Sequence, residues 1–398
     1  MHKLSERLES LEESATLAMA AKARELKAKG IDVISLSLGE PDFKTPDHIR
    51  EAAKQAIDSG KYFAYPPVAG YQDFREAIAS KLNKENNIPA KAEHIVVSNG
   101  AKQSLANACL ALFNPGDEVI VFSPYWVSYS ALIQLAEATP VLVHGSIEND
   151  FKVTAAQLEQ AITPKTRAVM FSSPCNPTGS VFSKEELEAI AAVVMKHKNM
   201  LVIADEIYEH INFTGKHFSI ASIPGMFERA ITVNGFAKGF AMTGWRVGYI
   251  AAPKWIADGC NKIQGQLTSA NCSIAQRAAL TAISSDLTPT LKMVEQYKER
   301  RQVVYDLLKE IPGLKVNMPE GAFYFFPDVS SYFGKSADGK LIKDDNDLCL
   351  YILDKVAVSL VPGAAFGDGN CIRLSYAASL EELREALARI KSALAALH

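Results

Sequence analysis

The chain has 398 residues, of which 48% are hydrophobic and 22% are charged, as in an ordinary globular protein. This length exceeds that of a typical domain of about 150 residues, so we expect two lobes rather than one. Because 42 basic residues stand against 45 acidic ones, the net charge of -3 argues against a protein dedicated to nucleic-acid binding.

The sequence also argues against a membrane, secreted or metal-binding protein. No apolar run approaches the roughly 20 residues that a membrane-spanning helix needs, and the charged first segment lacks the apolar stretch of a secretory signal. The 6 cysteines are irregularly spaced and form no C-x-x-C pair. We therefore expect no disulfide framework, no metal site and a cytoplasmic location.

Helices and short apolar strands alternate along the first two thirds of the chain. Residues 15–29 are predicted to form a helix that Gly30 ends, and another helix is expected to begin near Gly100. Strands are predicted over residues 95–98, 119–122, 168–172, 201–205, 231–234 and 247–252. This alternation predicts βαβ units, and hence an α/β fold with a mostly parallel, doubly wound sheet.

The last third has a different pattern. Strands of a second sheet are predicted within residues 321–329 and 370–377, and a final helix follows a capping box formed by Ser379 and Glu382. We expect a large α/β domain over residues 46–285. A smaller α+β domain would then combine residues 1–45 with residues 286–398.

Three polar residues come just after predicted strands of the large domain. They are Asn176, Asp205 and Lys238. Ligands of open α/β sheets bind at the carboxyl ends of the strands, where a crevice opens near the helix N-termini. We therefore expect these three side chains to converge on a ligand.

Lys238 lies in an apolar, glycine-rich segment, N-G-F-A-K-G-F-A-M-T-G-W-R. A lysine that loses hydration there has a lowered pKa, which frees its amine as a nucleophile. The ordinary alternative is a surface lysine in a loop. Arg246 follows eight positions later, and a lysine for a Schiff base together with an arginine for a phosphate is what pyridoxal phosphate requires.

Asp205 ends an apolar strand, so its carboxylate needs a cationic partner if it is buried. The protonated pyridine nitrogen of pyridoxal phosphate would supply that cation. The alternative is an aspartate that only caps a helix N-terminus. Tyr208 and Asn176 could both donate to the phenolic oxygen of the same cofactor.

Four segments in this order give the sequence a family resemblance: S-x-x-N-P-T-G at 173–179, D-E-I-Y at 205–208, A-K-x-x-x-M-T-G-W-R-x-G-Y at 237–249 and C-I-R-L-S-Y at 371–376. Together they resemble the class I aminotransferases that use pyridoxal phosphate on fold type I. The resemblance covers nearly the whole chain. It is strongest to the bacterial aspartate aminotransferase branch, which includes aromatic and prephenate-using members.

The resemblance implies a role in cofactor chemistry for five residues. Lys238 would form the Schiff base with pyridoxal phosphate and move the proton between the substrate Cα and the cofactor C4′. Asp205 would pair with the pyridinium nitrogen, and Asn176 and Tyr208 would bind the phenolic oxygen. Trp126 would stack on the pyridine ring, whereas on its own it would be taken for a core tryptophan.

For the cofactor phosphate, the resemblance implies the helix start at Gly100, Ala101 and Lys102, with Arg246 beside it. Tyr65 matches a tyrosine that reaches the phosphate from the neighbouring subunit, which implies a homodimer with shared sites.

One departure from the family concerns the same phosphate. Many members carry a serine one or three positions before the lysine, where this chain has Ala237 and Gly235. The phosphate would then depend more on the helix start, the arginine and the partner's tyrosine.

The resemblance also implies the substrate contacts. Arg373 would bind the α-carboxylate, next to Asn176 and the backbone of Gly39; the alternative for Arg373 is a solvent-facing arginine on a strand. Lys102 and Thr16 match positions that receive a distal carboxylate. Lys102 could instead serve the phosphate or solvent, and Thr16 could simply be the N-cap of the first helix.

The leading expectation is an enzyme that exchanges an amino group between aspartate and 2-oxoglutarate in ping-pong order. Aromatic or prephenate substrates remain open, since Trp126, Tyr129 and Phe366 could offer aromatic surface. A C–S lyase on the same cofactor is a second possibility. The third is a non-catalytic binding protein, against which the full set of cofactor residues argues.

Overall fold

The computed structural model describes residues 4–9, 11 and 15–398. Within them the helices are, in chain order, α1 (Glu6–Glu9), α2 (Ala15–Ala28), α3 (Asp47–Asp58), α4 (Gln72–Glu85), α5 (Ala101–Leu112), α6 (Ser128–Leu135), α7 (Ala155–Ala161), α8 (Lys184–Lys196), α9 (Lys254–Leu267), α10 (Ser273–Ser284), α11 (Thr288–Lys309), α12 (Asp345–Val356) and α13 (Leu380–Ala395). Among the described residues, no helix is long and apolar enough to cross a membrane.

The strands of the same residues are β1 (Ile34–Ser35), β2 (Ile95–Ser98), β3 (Glu118–Ser123), β4 (Thr139–His144), β5 (Thr166–Ser172), β6 (Leu201–Asp205), β7 (Ala230–Gly235), β8 (Gly248–Ala251), β9 (Tyr324–Phe325), β10 (Ser336–Ala337), β11 (Lys340–Leu341), β12 (Val358–Ser359), β13 (Val361–Pro362) and β14 (Ile372–Ser375). The six strands predicted in the first two thirds of the chain all exist, with ends that move by at most two residues.

Seven strands form the central sheet in the order β2-β8-β7-β6-β5-β3-β4. Strand β8 runs antiparallel to both of its neighbours, and the other pairs are parallel, so the predicted mostly parallel α/β sheet is confirmed. Strands of such a sheet are apolar throughout because helices cover both faces. Strand β6 accordingly buries all five of its residues, including Asp205 at its carboxyl end.

Alternate residues of the strands feed separate hydrophobic clusters on the two faces of the sheet. Val119 and Val121 of β3 pack with residues of α5, α6 and α9. Ile120, between them, packs with residues of α8. The period of two along a strand sends neighbouring side chains to opposite faces, and this fixes the sheet between two helical layers.

A separate hydrophobic cluster joins the two ends of the chain. It contains Met19 of α2, Val304 of α11, Ile352 of α12 and Leu387 of α13. Tyr208, which follows β6 of the central sheet, belongs to it as well. We propose domain boundaries at 46–285 and at 1–45 with 286–398, as expected above. The proposal is supported by this shared core and by cuts that fall ahead of α3 and between α10 and α11.

The strand predicted within 321–329 is shorter than expected. Only Tyr324–Phe325 pair as β9, in a small antiparallel sheet with the order β13-β14-β9. Ala322 has a left-handed backbone with φ of 55°, which interrupts the extended run. Past Phe325, the antiparallel pairing with the β14 segment resumes in the same register as an isolated bridge between Asp328 and Cys371.

Candidate active site

A cavity of about 290 Å³ opens at the carboxyl ends of β5, β6 and β7, beside the first turn of α5. It brings together the three polar residues that follow these strands. Both lobes contribute to its wall, which includes Thr16, Leu38, Gly39, Ala101, Lys102, Trp126, Asn176, Asp205, Tyr208, Lys238, Arg246, Tyr324 and Arg373.

Lys238 lies in the turn after β7, and its side chain reaches across to the small lobe. Its Nζ donates to the carbonyl oxygen of Gly39. The same nitrogen lies 5.7 Å from the ring centroids of Tyr208 and Phe323. Burial lowers the pKa of the Lys238 amine to about 8. Near neutral pH, a larger share of this amine is therefore unprotonated and nucleophilic than in an ordinary lysine.

Asp205 is buried with neutral hydrogen-bond donors around its carboxylate. Its Oδ2 accepts from the Tyr129 hydroxyl at 2.8 Å, and its Oδ1 accepts from the Ile207 N–H at 3.2 Å. Burial raises the pKa of Asp205 to about 6, and within the described residues it makes no ion pair. A carboxylate held in this way strongly favours a cation placed against it.

Tyr208 lies in the loop after β6 and contacts a tyrosine of the small lobe. Its hydroxyl shares a 2.7 Å hydrogen bond with the hydroxyl of Tyr324. A Cβ on Gly39 would clash with that Tyr324 hydroxyl, so only glycine allows this close approach. Sequence reasoning found Tyr208 and Gly39 but missed Tyr324, because no local motif marks it.

Arg373 is a buried cation of the small lobe, with a side chain only 2% exposed. Its guanidinium donates to Asn176 Oδ1 at 3.0 Å and to the Ser37 carbonyl at 2.6 Å. Its Cζ lies 4.6 Å from the Tyr324 ring centroid and 4.7 Å from that of Phe366. The solvent-facing alternative for Arg373 is wrong, and Phe366 supports this arginine from within the core.

The turn before α5 and Arg246 form a cationic corner of the cavity. Gly100 has a φ of 83° and leads into α5, so that Ala101 and Lys102, whose N–H groups have no partner within the helix, line the cavity. The Arg246 guanidinium donates to the Thr243 carbonyl at 2.9 Å and to the Asn99 carbonyl at 3.4 Å. A helix N-terminus next to an arginine fork is suited to a phosphate.

Lys102, Trp126 and Thr16 line the cavity as well. The Lys102 Nζ lies 4.9 Å from the Trp126 ring centroid, and burial together with the nearby Arg246 lowers the Lys102 pKa. Helix α2 begins at Ala15, so Thr16 lies in its first turn. The alternative of Thr16 as the N-cap is therefore wrong.

Two further aromatic residues from the sequence analysis, Tyr65 and Tyr129, differ in where the structure places them. Tyr65 is 93% exposed and stays outside the cavity of its own chain. Tyr129 lies in the cavity wall, with its ring fully buried and its hydroxyl donating to Asp205 Oδ2. An aromatic surface of Tyr129 toward the substrate stays a prediction, and sequence reasoning missed its contact with Asp205.

Glu206, Glu209 and His217 lie close enough to one another to suggest a metal site behind the cavity. Each carboxylate already has protein partners, however. Glu206 accepts from Ser219 at 2.6 Å and contacts His217 Nε2 at 2.9 Å, while Glu209 is paired with the buried Lys81 ammonium. These contacts make the group a buried network of ion pairs and hydrogen bonds, in which His217 Nδ1 has no partner among the described residues.

Comparison with known proteins decides the family. The family model described as aminotransferase class I and II matches residues 31–390 of the chain. The chain belongs to this family. It is therefore an aminotransferase with the expected fold, and the alternative of a non-catalytic binding protein is not supported.

Similar proteins match along nearly the whole chain. A Petunia hybrida protein named bifunctional aspartate aminotransferase and glutamate/aspartate-prephenate aminotransferase is 49% identical over 98% of this chain and 82% of its own length. The structure of the aspartate aminotransferase from Rhizobium meliloti has a TM-score of 0.96 at 39% identity, with 100% of both chains covered. An aspartate aminotransferase from Thermus thermophilus with maleate has a TM-score of 0.92 at 40% identity, covering 99% of this chain and 100% of that one.

Proposed function

We propose that this aminotransferase transfers the amino group of aspartate to 2-oxoglutarate, in ping-pong order, with pyridoxal phosphate bound through Lys238. The observation that carries the proposal is the number of cationic groups in the cavity wall, which also contains the carboxylates of Asp205 and Glu40. Besides Lys238, it holds the cationic groups of Arg373, Lys102 and Arg246. Two of these suffice for a substrate with two carboxylates, and the third remains for a phosphate.

The residues of the cavity fit pyridoxal phosphate at three separate points. Asp205 is a buried carboxylate whose donors among the described residues are all neutral, and a protonated ring nitrogen would supply the missing cation. Lys238 offers an amine of lowered pKa for the aldehyde. The first turn of α5 and Arg246 offer donors for the phosphate. When bound, the cofactor supplies an electron sink for the charge left at the substrate Cα.

The protein's own groups then have distinct tasks. Asp205 keeps the ring nitrogen protonated because an unpaired carboxylate is costly in this buried position. Tyr208 and Asn176 would supply donors at the phenolic oxygen, and Trp126 would cover the ring. The Lys238 amine, once free, would take up the proton from the substrate Cα and deliver it to the cofactor C4′, and its pKa of about 8 in the cofactor-free protein suits both transfers.

Arg373 serves the α-carboxylate that every amino donor and keto acceptor carries. Within the part of the chain that the structure describes, its buried Nε has no partner, and its other two nitrogens donate to Asn176 and Ser37. The planar fork is thus fixed before substrate arrives, which lowers the entropy cost of orienting a carboxylate. The backbone of Gly39 lies beside it in the same wall.

Lys102, with Thr16 beside it in the cavity wall, is proposed to receive the distal carboxylate. The aspartate named for the Petunia relative and the maleate in the Thermus structure both carry two carboxylates. Prephenate, also named for the Petunia relative, is likewise a dicarboxylic keto acid. We therefore keep prephenate as a second acceptor, whose two carboxylates Arg373 and Lys102 could bind.

We further propose a homodimer in which Tyr65 of each chain reaches the phosphate site of the other. The support is the exposure of its segment: Phe63 is 73% and Tyr65 is 93% exposed, which is unusual for two neighbouring aromatic side chains. A cytoplasmic location stays a prediction from the cysteine pattern.

A donor and acceptor panel tests the proposal. The purified chain, loaded with pyridoxal phosphate, is assayed with aspartate, glutamate, alanine and phenylalanine against 2-oxoglutarate and oxaloacetate, and prephenate is tested with aspartate as donor. We expect the highest kcat/KM for aspartate with 2-oxoglutarate. A higher value for alanine or phenylalanine would overturn the dicarboxylic preference. Release of pyruvate from cystathionine without any keto acid would favour the C–S lyase.

A further inference from the structure

Asn271 is a buried residue outside the cavity wall that connects two of the segments around the phosphate corner. It lies in the loop between α9 and α10 and is only 1% exposed. Its Nδ2 donates to the backbone carbonyl of Arg246 at 2.7 Å and to Asn99 Oδ1 at 2.8 Å. The Asn271 side-chain amide therefore bonds both to Arg246, which carries the guanidinium, and to Asn99, which comes just before Gly100 and α5.

Arg246 needs such a restraint because of its backbone conformation. Its φ of 55° and ψ of 56° place it in the left-handed region, which a residue with a side chain rarely adopts. The surrounding structure must hold a residue in that conformation. The hydrogen bond from Asn271 to its carbonyl fixes the peptide plane that follows, and hence the direction in which the guanidinium leaves the chain.

Asn99 connects the same restraint to the helix. Its N–H donates to Gln103 Oε1 at 2.6 Å in the first turn of α5, and its carbonyl accepts from the Arg246 guanidinium at 3.4 Å. Asn271 is itself held in place, since its carbonyl accepts from Gln276 Nε2 at 2.9 Å. The guanidinium and the first turn of α5 are thereby fixed relative to each other.

We propose that Asn271 is a positioning residue that aligns the Arg246 guanidinium with the N–H groups of α5 for a phosphate. The proposal rests on the proposed cofactor, but it assigns a role to a residue that never touches it. The role has particular weight in this chain, because Gly235 and Ala237 supply no hydroxyl to the phosphate. Alignment of the remaining donors then decides how tightly the phosphate is held.

The test measures binding of inorganic phosphate to the cofactor-free protein by isothermal titration calorimetry. We expect Asn271→Ala to weaken phosphate binding roughly tenfold, as two hydrogen bonds that fix the donors are lost. We also expect pyridoxal phosphate to dissociate faster from the loaded variant. The matched control is Asn83→Ala. Asn83 lies on α4, outside the cavity wall, and its amide likewise donates to two carbonyls, that of Ala79 on the same helix and that of Ala90 beyond its end.

The outcomes separate positioning from a general contribution to folding. Both variants are expected to lower the melting temperature, but only Asn271→Ala should weaken phosphate binding. Equal phosphate affinity in Asn271→Ala and wild type would overturn the proposal. If Asn271→Ala does not fold, Asn99→Ala removes one of the same two bonds and must weaken binding by a smaller factor; unchanged affinity there would also overturn it. A wild-type protein that binds neither phosphate nor pyridoxal phosphate would instead refute the proposed function.

Discussion

At the scale of one residue, the buried carboxylate of Asp205 lowers the free energy of unfolding of the cofactor-free protein. Its pKa is raised from an ordinary 3.8 to about 6 by burial. The folded protein without cofactor therefore binds a proton at Asp205 more tightly than the unfolded chain does. Above about pH 6 the buried charge destabilises the fold by the full amount, on the order of 2–3 kcal/mol, and below about pH 4 it no longer does.

Asp205→Asn is accordingly predicted to stabilise the cofactor-free protein at pH 7.5, by about 1–3 kcal/mol. The asparagine keeps an oxygen that can accept from Tyr129, and it removes the buried charge. Denaturant unfolding at pH 7.5 and near pH 4 measures the effect, with the low-pH pair as the internal control. Equal free energies of unfolding for wild type and variant at pH 7.5 would contradict this account. So would a stability difference in favour of the variant that is larger near pH 4 than at pH 7.5.

Lys102→Ala is predicted to lower activity selectively for dicarboxylic donors. We expect kcat/KM for aspartate to fall roughly 10- to 100-fold, the usual effect of losing a charge-assisted hydrogen bond. Alanine and phenylalanine should change little because they carry no distal carboxylate. Steady-state kinetics with the three donors check this. An equal loss for all three would mean that Lys102 serves the phosphate instead.

How far the sequence predicts the site depends on where each residue's signal lies. Asp205 ends an apolar run that predicts a strand, and Lys238 and Arg246 lie in a glycine-rich segment that predicts a turn. The structure brings all three into one cavity. Tyr324 and Asn271 act through hydrogen bonds to residues far along the chain, Tyr208 and Arg246. Such partners follow only from the folded arrangement of the segments, so no local pattern could have marked them.

At the scale of elements, the central sheet was predictable because its strands are short apolar runs that end in turns. The small lobe was less so. A run such as residues 321–329 is apolar for packing reasons alone, and a left-handed residue within it decides where strand pairing can start. Backbone conformations of this kind depend on tertiary contacts that a hydrophobic pattern does not contain.

The contact between β8 and the start of α5 is a point where two elements meet backbone to backbone. A Cβ on Gly248 would clash with the backbone of Gly100 and Ala101. Gly248→Ala is therefore predicted to push the first turn of α5 away from the sheet, and so to weaken phosphate binding by the cofactor-free protein and to lower the melting temperature.

Gly259→Ala is the matched control for this contact. Gly259 lies in α9, and its nearest neighbour to an added Cβ is an alanine methyl at 3.5 Å, an ordinary contact. An alanine there should leave phosphate binding unchanged and stabilise the helix by about 0.5–1 kcal/mol. Phosphate affinity that Gly248→Ala leaves at the wild-type value would show that the close packing of β8 and α5 is not needed for the site.

At the scale of the whole molecule, the proposed sharing of sites between two chains makes a prediction for mixed dimers. Tyr65→Ala and Lys238→Ala are each expected to lose most activity when cofactor is limiting. Co-expressed, they should form dimers in which one site has both an intact lysine and the partner's intact tyrosine. Activity of the purified mixed dimer above that of either parent is the expected result. No recovery would mean that Tyr65 acts within its own chain or not at all.

The covalent link between pyridoxal phosphate and the Lys238 amine is the central claim. Both lobes line the cavity around this amine, and all the proposed contacts depend on the link. The most direct measurement treats the loaded enzyme with borohydride, which makes a carbon–nitrogen bond between cofactor and lysine permanent, and maps the product by peptide mass spectrometry. We predict one phosphopyridoxyl group per chain, on Lys238, and none in Lys238→Ala. A label on Lys102 or another lysine, with Lys238 unmodified, would contradict the account.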